Sequence, residues 1–328
     1  MLALSRDDVR ALVPIASAVE LLKEAFAELY RGEAVAPLRT GIEIPSESAV
    51  SLFMPAYVPS NQGLGLKIVS VFPNNPGRGE PTIYALVVLV DAGSGAPLAL
   101  LDGTFLTALR TGAVSGAATD LLAREDSRVL TVIGAGAQGV TQAWAIAAVR
   151  PIERIFVADV NPAQAASFAA RLAELDNDLA GKVAVANRAD DAVRQSDVIC
   201  TATTARAAVF SDAAVQPGTH INAVGAFTPE MQELPAETIG RARLVVDTVE
   251  AAMAEAGDVL IAIKQGAITR EAVVEELGAI AAGALPGRTD PRQITIFKSV
   301  GNAIQDISVA RYAVDTAVRS GRGQQINL

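Results

Sequence analysis

The feature that most constrains this chain is the glycine-rich run Gly134-Ala135-Gly136-Ala137-Gln138-Gly139. A buried-strand run, Val129–Ile133, comes directly before it, and an alanine-rich helical run follows it. In this setting the first glycine permits a tight turn, the second lets the backbone approach a pyrophosphate, and the third permits close helix packing. The free N–H groups at the start of the helix attract phosphate. The run therefore predicts a dinucleotide-binding strand–turn–helix unit.

Asp159, at the end of the next predicted strand, indicates which dinucleotide is bound. A carboxylate at this position accepts hydrogen bonds from the hydroxyls of the adenosine ribose. It also repels a 2′-phosphate, so it favours NAD over NADP. Arg154 and Asn161 lie nearby in the sequence and leave room for NADP.

Two different patterns of secondary structure along the chain predict two domains. From Arg128 onward, buried-strand runs alternate with helical runs, which is typical of a doubly wound parallel sheet of the Rossmann type. Before it, a helix expected at about residues 14–30 precedes short apolar runs between residues 39 and 101, which predict a strand-rich α+β domain. The tail carries a helical segment after about Phe297, and the residues alone do not decide which domain it joins.

Composition excludes several classes of protein. A chain of 328 residues suits two domains, and a net charge of −9 argues against non-specific nucleic-acid binding. The single cysteine, Cys200, and single histidine, His220, leave little for a zinc site, so we expect no metal. One thiol, no signal-peptide pattern and no membrane-spanning run predict a cytoplasmic protein.

His220 follows Pro217-Gly218-Thr219 at a strand start, which favours a structural hydrogen bond over catalysis.

Several blocks together resemble the ornithine cyclodeaminase/mu-crystallin family. They are the runs at 65–75 (around Gly65-Leu66-Lys67), 106–115 (around Arg110-Thr111), 132–138, 220–225 and 297–301. The resemblance implies a substrate-binding and dimerisation domain at 1–122 and 302–328, and a dinucleotide-binding domain at 123–301. It also implies a homodimer that binds a small carboxylate-bearing imino or amino acid.

The resemblance implies that Arg39, Lys67 and Arg110 hold the substrate carboxylate, with Lys67 and Arg110 as the catalytic pair. The chemistry agrees, because a planar guanidinium grips a carboxylate at two points. Holding this anion places the neighbouring carbon against the nicotinamide. An ammonium in a partly desolvated pocket, such as that of Lys67, also has a lowered pKa and can protonate the reacting nitrogen.

Two departures separate this chain from the cyclodeaminases of the family. Phe227 stands where they carry an aspartate, and Leu52 stands where they carry a glutamate before a Met-Pro pair. Without these acids, the distal ammonium of ornithine is buried unpaired, at a cost of several kcal/mol. We therefore expect an NAD(P)H-dependent reductase of a ketimine or cyclic imine such as pyrroline-2-carboxylate, with Leu52 and Phe227 contacting its carbon skeleton.

Three alternatives stay open beside this prediction. They are an ornithine cyclodeaminase with bound NAD, an alanine dehydrogenase, and a non-enzymatic binding protein like mu-crystallin. The complete pair Lys67 and Arg110 argues most strongly against the last of these.

The expected cofactor contacts extend beyond the glycine run. Thr201 and Thr203 follow a predicted strand and either line the nicotinamide side of the cleft or cap the loop, and Thr82 matches a family position near the nicotinamide. The full predicted set is Thr82, Thr111, Gly134, Gly136, Ala137, Gln138, Gly139, Asp159, Thr201, Thr203, Val224, Gly225, Lys298 and Ser299.

Overall fold

The structure, a computed structural model, describes residues 1–327. Its strands are β1 (Leu2–Leu4), β2 (Thr40–Ile44), β3 (Ala49–Val58), β4 (Gly63–Val71), β5 (Ile83–Asp91), β6 (Pro97–Asp102), β7 (Val129–Ile133), β8 (Arg154–Ala158), β9 (Val183–Val185), β10 (Val198–Thr201), β11 (His220–Ala223), β12 (Arg243–Val246), β13 (Thr295–Lys298) and β14 (Gln324–Gln325).

Its α-helices are α1 (Arg6–Leu12), α2 (Ile15–Tyr30), α3 (Gly103–Leu122), α4 (Ala137–Val149), α5 (Pro162–Ala173), α6 (Asn177–Ala180), α7 (Ala189–Val193), α8 (Ala236–Arg241), α9 (Val249–Glu255), α10 (Gly257–Lys264), α11 (Leu277–Ala281) and α12 (Ala303–Ser320). Short 3₁₀ turns lie at Pro45–Glu47, Asn75–Arg78, Asp212–Ala214 and Arg270–Ala272.

The chain divides into two compact units, one of Met1–Arg110 with Asn302–Leu328 and one of Thr111–Gly301. The division falls inside α3, whereas the sequence suggested a boundary after this helix. We call the first the strand-rich unit and the second the Rossmann unit.

The strand-rich unit is built on one sheet, with strands in the order β14-β1-β6-β5-β4-β3-β2. Strands β2 to β6 pair antiparallel, whereas β1 runs parallel to β6. Helix α12 packs on β3, β4 and β5 and also contacts α2, whose buried side chains include Leu22 and Phe26. The expected helix at residues 14–30 and the strand-rich texture after it are confirmed, and the C-terminal helix belongs to this unit.

Glycines in β4 allow α12 to approach the sheet closely. A Cβ atom on Gly65 would lie 2.2 Å from the Val88 carbonyl oxygen and 3.1 Å from Ile307 Cδ1, and one on Gly63 would lie 3.0 Å from Ile307 Cγ2. A Cβ atom on Gly65 would clash with the backbone of β5, and at both glycines it would crowd Ile307, so the absence of a side chain lets Ile307 of α12 lie close to the strand.

The Rossmann unit contains a parallel sheet of order β12-β13-β11-β10-β7-β8-β9. The order changes direction between β7 and β10, which is the position where doubly wound sheets bind ligands at the carboxyl ends of their strands. The expected doubly wound fold is confirmed. Strand β13, which the sequence analysis did not separate from the tail, lies between β11 and β12.

Two further properties concern the described part of the chain as a whole. Within residues 1–327 no helix combines the length and the apolar character needed to cross a bilayer. Over the same residues, no group of three or more His, Cys, Asp or Glu side chains is arranged to hold a metal ion.

Replacing Gly65 with alanine tests the close packing around β4. The new Cβ must displace the backbone of β5 or Ile307, so we expect the free energy of unfolding to fall by about 1 to 3 kcal/mol or more. Thermal unfolding of the variant measures this loss. Gly77→Ala is the matched control, because a Cβ atom there meets nothing within 4 Å. Equal unfolding midpoints for the two variants would contradict the packing described here.

Candidate active site

Lys67 lies on the inner face of the strand-rich sheet, among apolar side chains. It pairs with Met54 of β3 on one side and with Val87 of β5 on the other, so the three side chains share one face. Only 1% of Lys67 is exposed. An ammonium group between these two apolar side chains requires a partner of opposite charge, because burying an unpaired charge costs several kcal/mol.

Asp306 of α12 is that partner, and Arg110 of α3 shares it. Lys67 Nζ lies 2.8 Å from Asp306 Oδ2, and Arg110 Nε lies 3.0 Å from Asp306 Oδ1. The side chain of Asp306 is fully buried. Arg110 Nη1 also donates to the Oε1 atom of Gln305, the neighbour of Asp306. Residues that are far apart in sequence therefore form one buried cluster with two cations and one carboxylate.

The guanidinium of Arg110 is held in a fixed plane by these contacts. They use Nε and one proton of Nη1. The protons of Nη2 and the second proton of Nη1 are not used by these contacts, and together they form a fork of the kind that suits a carboxylate.

The cluster changes the acidity of Lys67. Burial lowers the pKa of Lys67 to about 7, and the charge of Arg110 acts in the same direction. Asp306 opposes both effects, and Arg39 adds a further lowering. Both the ammonium and the neutral amine form of Lys67 are therefore populated near neutral pH, whereas an ordinary surface lysine stays almost fully protonated there.

The strand-rich unit also contains two further residues predicted for the substrate, Arg39 and Leu52, and one predicted for the cofactor, Thr82. Arg39, in the segment before β2, is near enough to Lys67 to act on its pKa. Leu52 pairs with Val69 on the same sheet face as Lys67 and is partly buried. Thr82 precedes β5 in the same unit, and its carbonyl accepts a hydrogen bond from the backbone of Phe72.

Phe227 belongs to the Rossmann unit, whereas Leu52 belongs to the strand-rich unit. There Phe227 is partly buried and packs against an apolar cluster that includes Val246, Val259 and Val300.

A cleft of about 760 Å³ opens at the switch point of the Rossmann sheet. Its lining comes from the ends of β7, β8 and β10 and from the segments that follow β7, β8, β9 and β10, and it includes Gly134, Gly136, Asp159, Thr203 and Thr204. Pockets of this size at a topological switch point are typical of nucleotide sites.

The surroundings of Gly134 and Gly139 fit the tight turn and the close helix packing that the run predicts. Gly134 has a φ of +102°, and a Cβ there would lie 2.4 Å from the Ala202 carbonyl oxygen. A Cβ on Gly139 would lie 2.1 Å from the Gly134 carbonyl oxygen, whereas one on Gly136 meets nothing within 4 Å. Gly136 therefore faces open space that a pyrophosphate can fill.

The start of α4 leaves donors for this space. Gly136 is the N-cap of α4 and supplies no side-chain cap, so the first N–H groups of a 13-residue helix are open to an anion. Ala137 is the first residue of this helix. The Oε1 atom of Gln138 is buried without a hydrogen-bond partner among the described residues, so this oxygen can accept a hydrogen bond from a ligand.

Asp159 is fixed at the mouth of the cleft. Its Oδ2 accepts the N–H of Ala135 at 2.6 Å, and its Oδ1 accepts the N–H of Asn161 at 2.7 Å. The carboxylate is thereby tied to the glycine turn, with lone pairs left for ribose hydroxyls. Val160, beside it, is fully exposed and also lines the cleft.

Buried acids, which the sequence analysis did not identify, organise the loops beyond β10 and β11. Glu233 accepts hydrogen bonds from Thr201 Oγ1 at 2.9 Å, from Thr203 N at 2.6 Å and from Gly225 N at 2.7 Å. Burial raises the pKa of Glu233, whereas the charge of Lys298 and the bonds from Thr203 oppose this rise. Glu233 thus fastens two neighbouring loops at the carboxyl edge of the sheet.

Lys298 and Ser299 bind acids of the same edge. Lys298 Nζ lies 2.9 Å from Asp258 Oδ2, and both side chains are buried. Ser299 Oγ donates to Asp247 Oδ2 at 2.9 Å. Of the cofactor residues predicted at this edge, Thr203 lines the cleft directly. Lys298 and Ser299 instead contact the buried acids Asp258 and Asp247.

The remaining predicted positions have backbone contacts. Val224 donates its N–H to the Thr201 carbonyl at 3.0 Å, and the Thr111 carbonyl accepts from Gln142 Nε2 at 3.0 Å.

His220 is buried, with its ring nitrogens 2.9 Å from Thr295 Oγ1 and 3.2 Å from Asn222 Oδ1. Burial lowers the pKa of His220 to about 3. A buried, neutral imidazole between strands fits the structural role that the sequence suggests.

Comparison with known proteins identifies the family. The model of the ornithine cyclodeaminase/mu-crystallin family matches residues 1–321. The chain therefore belongs to this family, as the sequence blocks predicted.

Similar proteins match the chain over its whole length, and three of them have the following identity and coverage. A Delta(1)-pyrroline-2-carboxylate reductase of Bacillus cereus is 41% identical over 328 residues, covering 99% of each chain. The structure of the Thermococcus litoralis Delta(1)-pyrroline-2-carboxylate reductase in complex with NADH and L-proline is 42% identical, with a TM-score of 0.94 over 99% of this chain and 100% of that one. An archaeal alanine dehydrogenase dimer with bound NAD is 36% identical, with a TM-score of 0.91 over 100% and 99% of the two chains.

Gly136→Val tests the cleft as a cofactor site. The added side chain enters open space and is expected to leave the fold intact, but it fills the space in which a pyrophosphate is expected to bind. We expect an unchanged thermal unfolding midpoint in the absence of cofactor and NADH binding weakened at least about tenfold, which corresponds to 1.4 kcal/mol. Fluorescence titration with NADH measures the binding. Wild-type affinity in this variant would remove the glycine turn from the site.

Proposed function

We propose that this protein is an NADH-dependent reductase of small cyclic or simple imino acids, of which pyrroline-2-carboxylate is the type. The observation that carries the proposal is the buried cluster of Lys67 and Arg110 around Asp306. In this proposal the cluster offers cationic N–H groups to the one carboxylate of the substrate. The same chain also contains the dinucleotide cleft. The similarity to pyrroline-2-carboxylate reductases over the full length supports the same reaction.

Arg110 and Lys67 bind and orient the substrate in this proposal. The fork of Arg110 grips the carboxylate, Arg39 adds positive charge, and Leu52 contacts the carbon skeleton. Phe227 is a further proposed contact with the skeleton. This binding fixes the imine carbon in one position, so that the remaining barrier is largely chemical.

Lys67 supplies the proton. The ammonium form of Lys67 protonates the imine nitrogen, which makes the imine carbon a better hydride acceptor, and solvent then restores the proton. NADH, when bound, supplies the hydride that completes the new C–H bond, so that the imine becomes an amine and NADH becomes NAD⁺. A pKa of about 7 keeps Lys67 able to donate at neutral pH.

The cofactor contacts are proposed from the same geometry. Gly134, Gly136 and Gly139 accommodate the pyrophosphate beside Ala137 and Gln138, and Asp159 holds the ribose and favours NADH over NADPH. For the nicotinamide half we retain Thr82, Thr111, Thr201, Thr203, Val224, Gly225, Lys298 and Ser299. Of these, Lys298 and Ser299 act through the loops that their buried acids hold.

The cluster also argues against ornithine as substrate. The carboxylate of Asp306 is already engaged by two cations, and Leu52 is apolar, so a second substrate ammonium finds no acid there. Reduction of open-chain imines, as in an alanine dehydrogenase, needs no such acid and stays compatible with the site.

A panel of assays tests the proposed reaction. NADH and NADPH oxidation is followed with pyrroline-2-carboxylate, piperideine-2-carboxylate, and pyruvate plus ammonia, and ornithine is assayed separately for proline and ammonia. We expect NADH oxidation with at least one cyclic imine and no ornithine turnover. Ornithine turnover without imine reduction would assign a cyclodeaminase, and NADH binding without any turnover would support a binding protein.

We also propose that the protein is a homodimer formed through the outer face of the strand-rich sheet. Ile42 is 54% exposed, Tyr84 48% and Leu86 40%, all on the face opposite Lys67. Exposed apolar groups gathered on one face are typical of an interface. The similarity to an archaeal dehydrogenase described as a dimer supports this assembly.

We further propose a cytoplasmic location. The single thiol, Cys200, is free and buried, which fits a reducing compartment.

Leu86→Lys tests the interface. A charge at the centre of this face opposes its burial, so we expect the particle mass in sedimentation to fall from that of a dimer to that of one chain. Val318→Lys, at a 70% exposed position of α12, is the matched control and is expected to stay dimeric. A monomeric wild type, or a dimeric Leu86→Lys protein, would contradict the assignment.

A further inference from the structure

Asp306 is a buried carboxylate for which the proposed reaction has no direct use. Its Oδ2 lies 2.8 Å from Lys67 Nζ and its Oδ1 lies 3.0 Å from Arg110 Nε, so each oxygen faces one cation. None of the Asp306 side chain is exposed. Because it points at both functional cations and is shielded from solvent, its charge acts on them at low dielectric.

The local sequence explains how this acid reaches Lys67. Asn302 caps α12 by accepting the N–H of Ile304 at 3.0 Å, which fixes the first turn. Asp306 lies one turn further on. Its neighbour Ile307 packs on Gly63 and Gly65, so the first part of α12 lies directly on β4.

The groups whose charges act on Lys67 come from several elements. Asp306 comes from α12, Arg110 from α3 and Arg39 from the segment before β2, whereas its strand neighbours Met54 and Val87 are neutral. In this set, three cations lie beside one acid. Asp306 therefore offsets both the burial of the ammonium and the repulsion from two guanidinium groups.

We propose that Asp306 is a positioning residue, which holds Lys67 in its ammonium form and fixes the plane of Arg110 without touching the substrate. The inference rests on the function proposed above, because it concerns the same two cations. Both roles of Lys67, as proton donor and as partner of the substrate carboxylate, require the ammonium form.

The sign of the pH effect follows from this requirement. Burial lowers the pKa of Lys67 to about 7, and Asp306 raises it relative to a site without the acid. Activity should therefore fall as pH rises through about 7, because the ammonium is lost. Without the charge of Asp306 the same loss should occur at lower pH.

Asp306→Asn removes the charge and keeps the shape. The measurement is kcat/KM for pyrroline-2-carboxylate against pH, which reports the groups of the free enzyme. We expect the falling limb to move down by about 1 to 3 pH units. Titration of the substrate affects all variants equally, so the difference between variants belongs to the protein.

Two variants separate this role from general destabilisation. Asp306→Glu restores the charge and is expected to bring the falling limb back towards the wild-type pH. Asp315→Asn, on the same helix in an outward pair with Arg311, is expected to leave the limb unchanged. A falling limb at the wild-type pH in Asp306→Asn overturns the proposal.

A readout without substrate keeps the inference separate from the proposed reaction. Lys67 is one of five lysines, with Lys23, Lys182, Lys264 and Lys298, so its ¹⁵Nζ signal can be assigned by comparison with Lys67→Met. Its pKa should be about 7 in the wild type and lower in Asp306→Asn, or in Asp306→Ser if the first variant does not fold. An identical Lys67 pKa with and without the acid refutes the role of Asp306, whereas a shifted pKa in a protein that reduces no imine refutes the proposed function alone.

Discussion

The buried ion cluster of Lys67, Asp306 and Arg110 is the interaction on which the rest of this account depends. Removing charges from water is expensive, and breaking a buried pair by deleting one partner typically costs about 3 to 5 kcal/mol. The cluster meets that cost by giving each oxygen of Asp306 its own cation. Since two cations share one acid, the site keeps an excess of positive charge, and a substrate carboxylate is the natural complement to it.

The two units supply different parts of the chemistry. In the strand-rich unit, glycines in β4 let α12 lie on the sheet, so that an acid from the end of the chain reaches a lysine from its beginning. In the Rossmann unit, the turn after β7 leaves open space at Gly136, and Asp159 is tied to that turn. The proposed substrate site therefore depends on tertiary packing, whereas the proposed cofactor site depends mainly on one local motif.

This difference explains which features the sequence could predict. The glycine run and the strand–helix alternation predicted the Rossmann sheet, because a strand–turn–helix unit is specified by neighbouring residues. Lys67 and Arg110 were recognised through family resemblance. Asp306 was not, because an acid near the start of a helix already has an ordinary explanation in the helix dipole. Glu233 was missed for a different reason: its hydrogen-bond donors are distant in sequence, at the end of β10 and after β11.

The most direct test of the central claim is the dependence of activity on the substrate carboxylate. The ratio of kcat/KM for pyrroline-2-carboxylate to that for 1-pyrroline, which lacks the carboxylate, is measured in the wild type, in Arg110→Ala and in the surface control Arg78→Ala. We expect a large ratio in the wild type and the control, and a loss of about 2 to 5 kcal/mol, roughly 30-fold to a few thousand-fold, in Arg110→Ala. An unchanged ratio in Arg110→Ala would contradict the claim that this cluster holds the carboxylate.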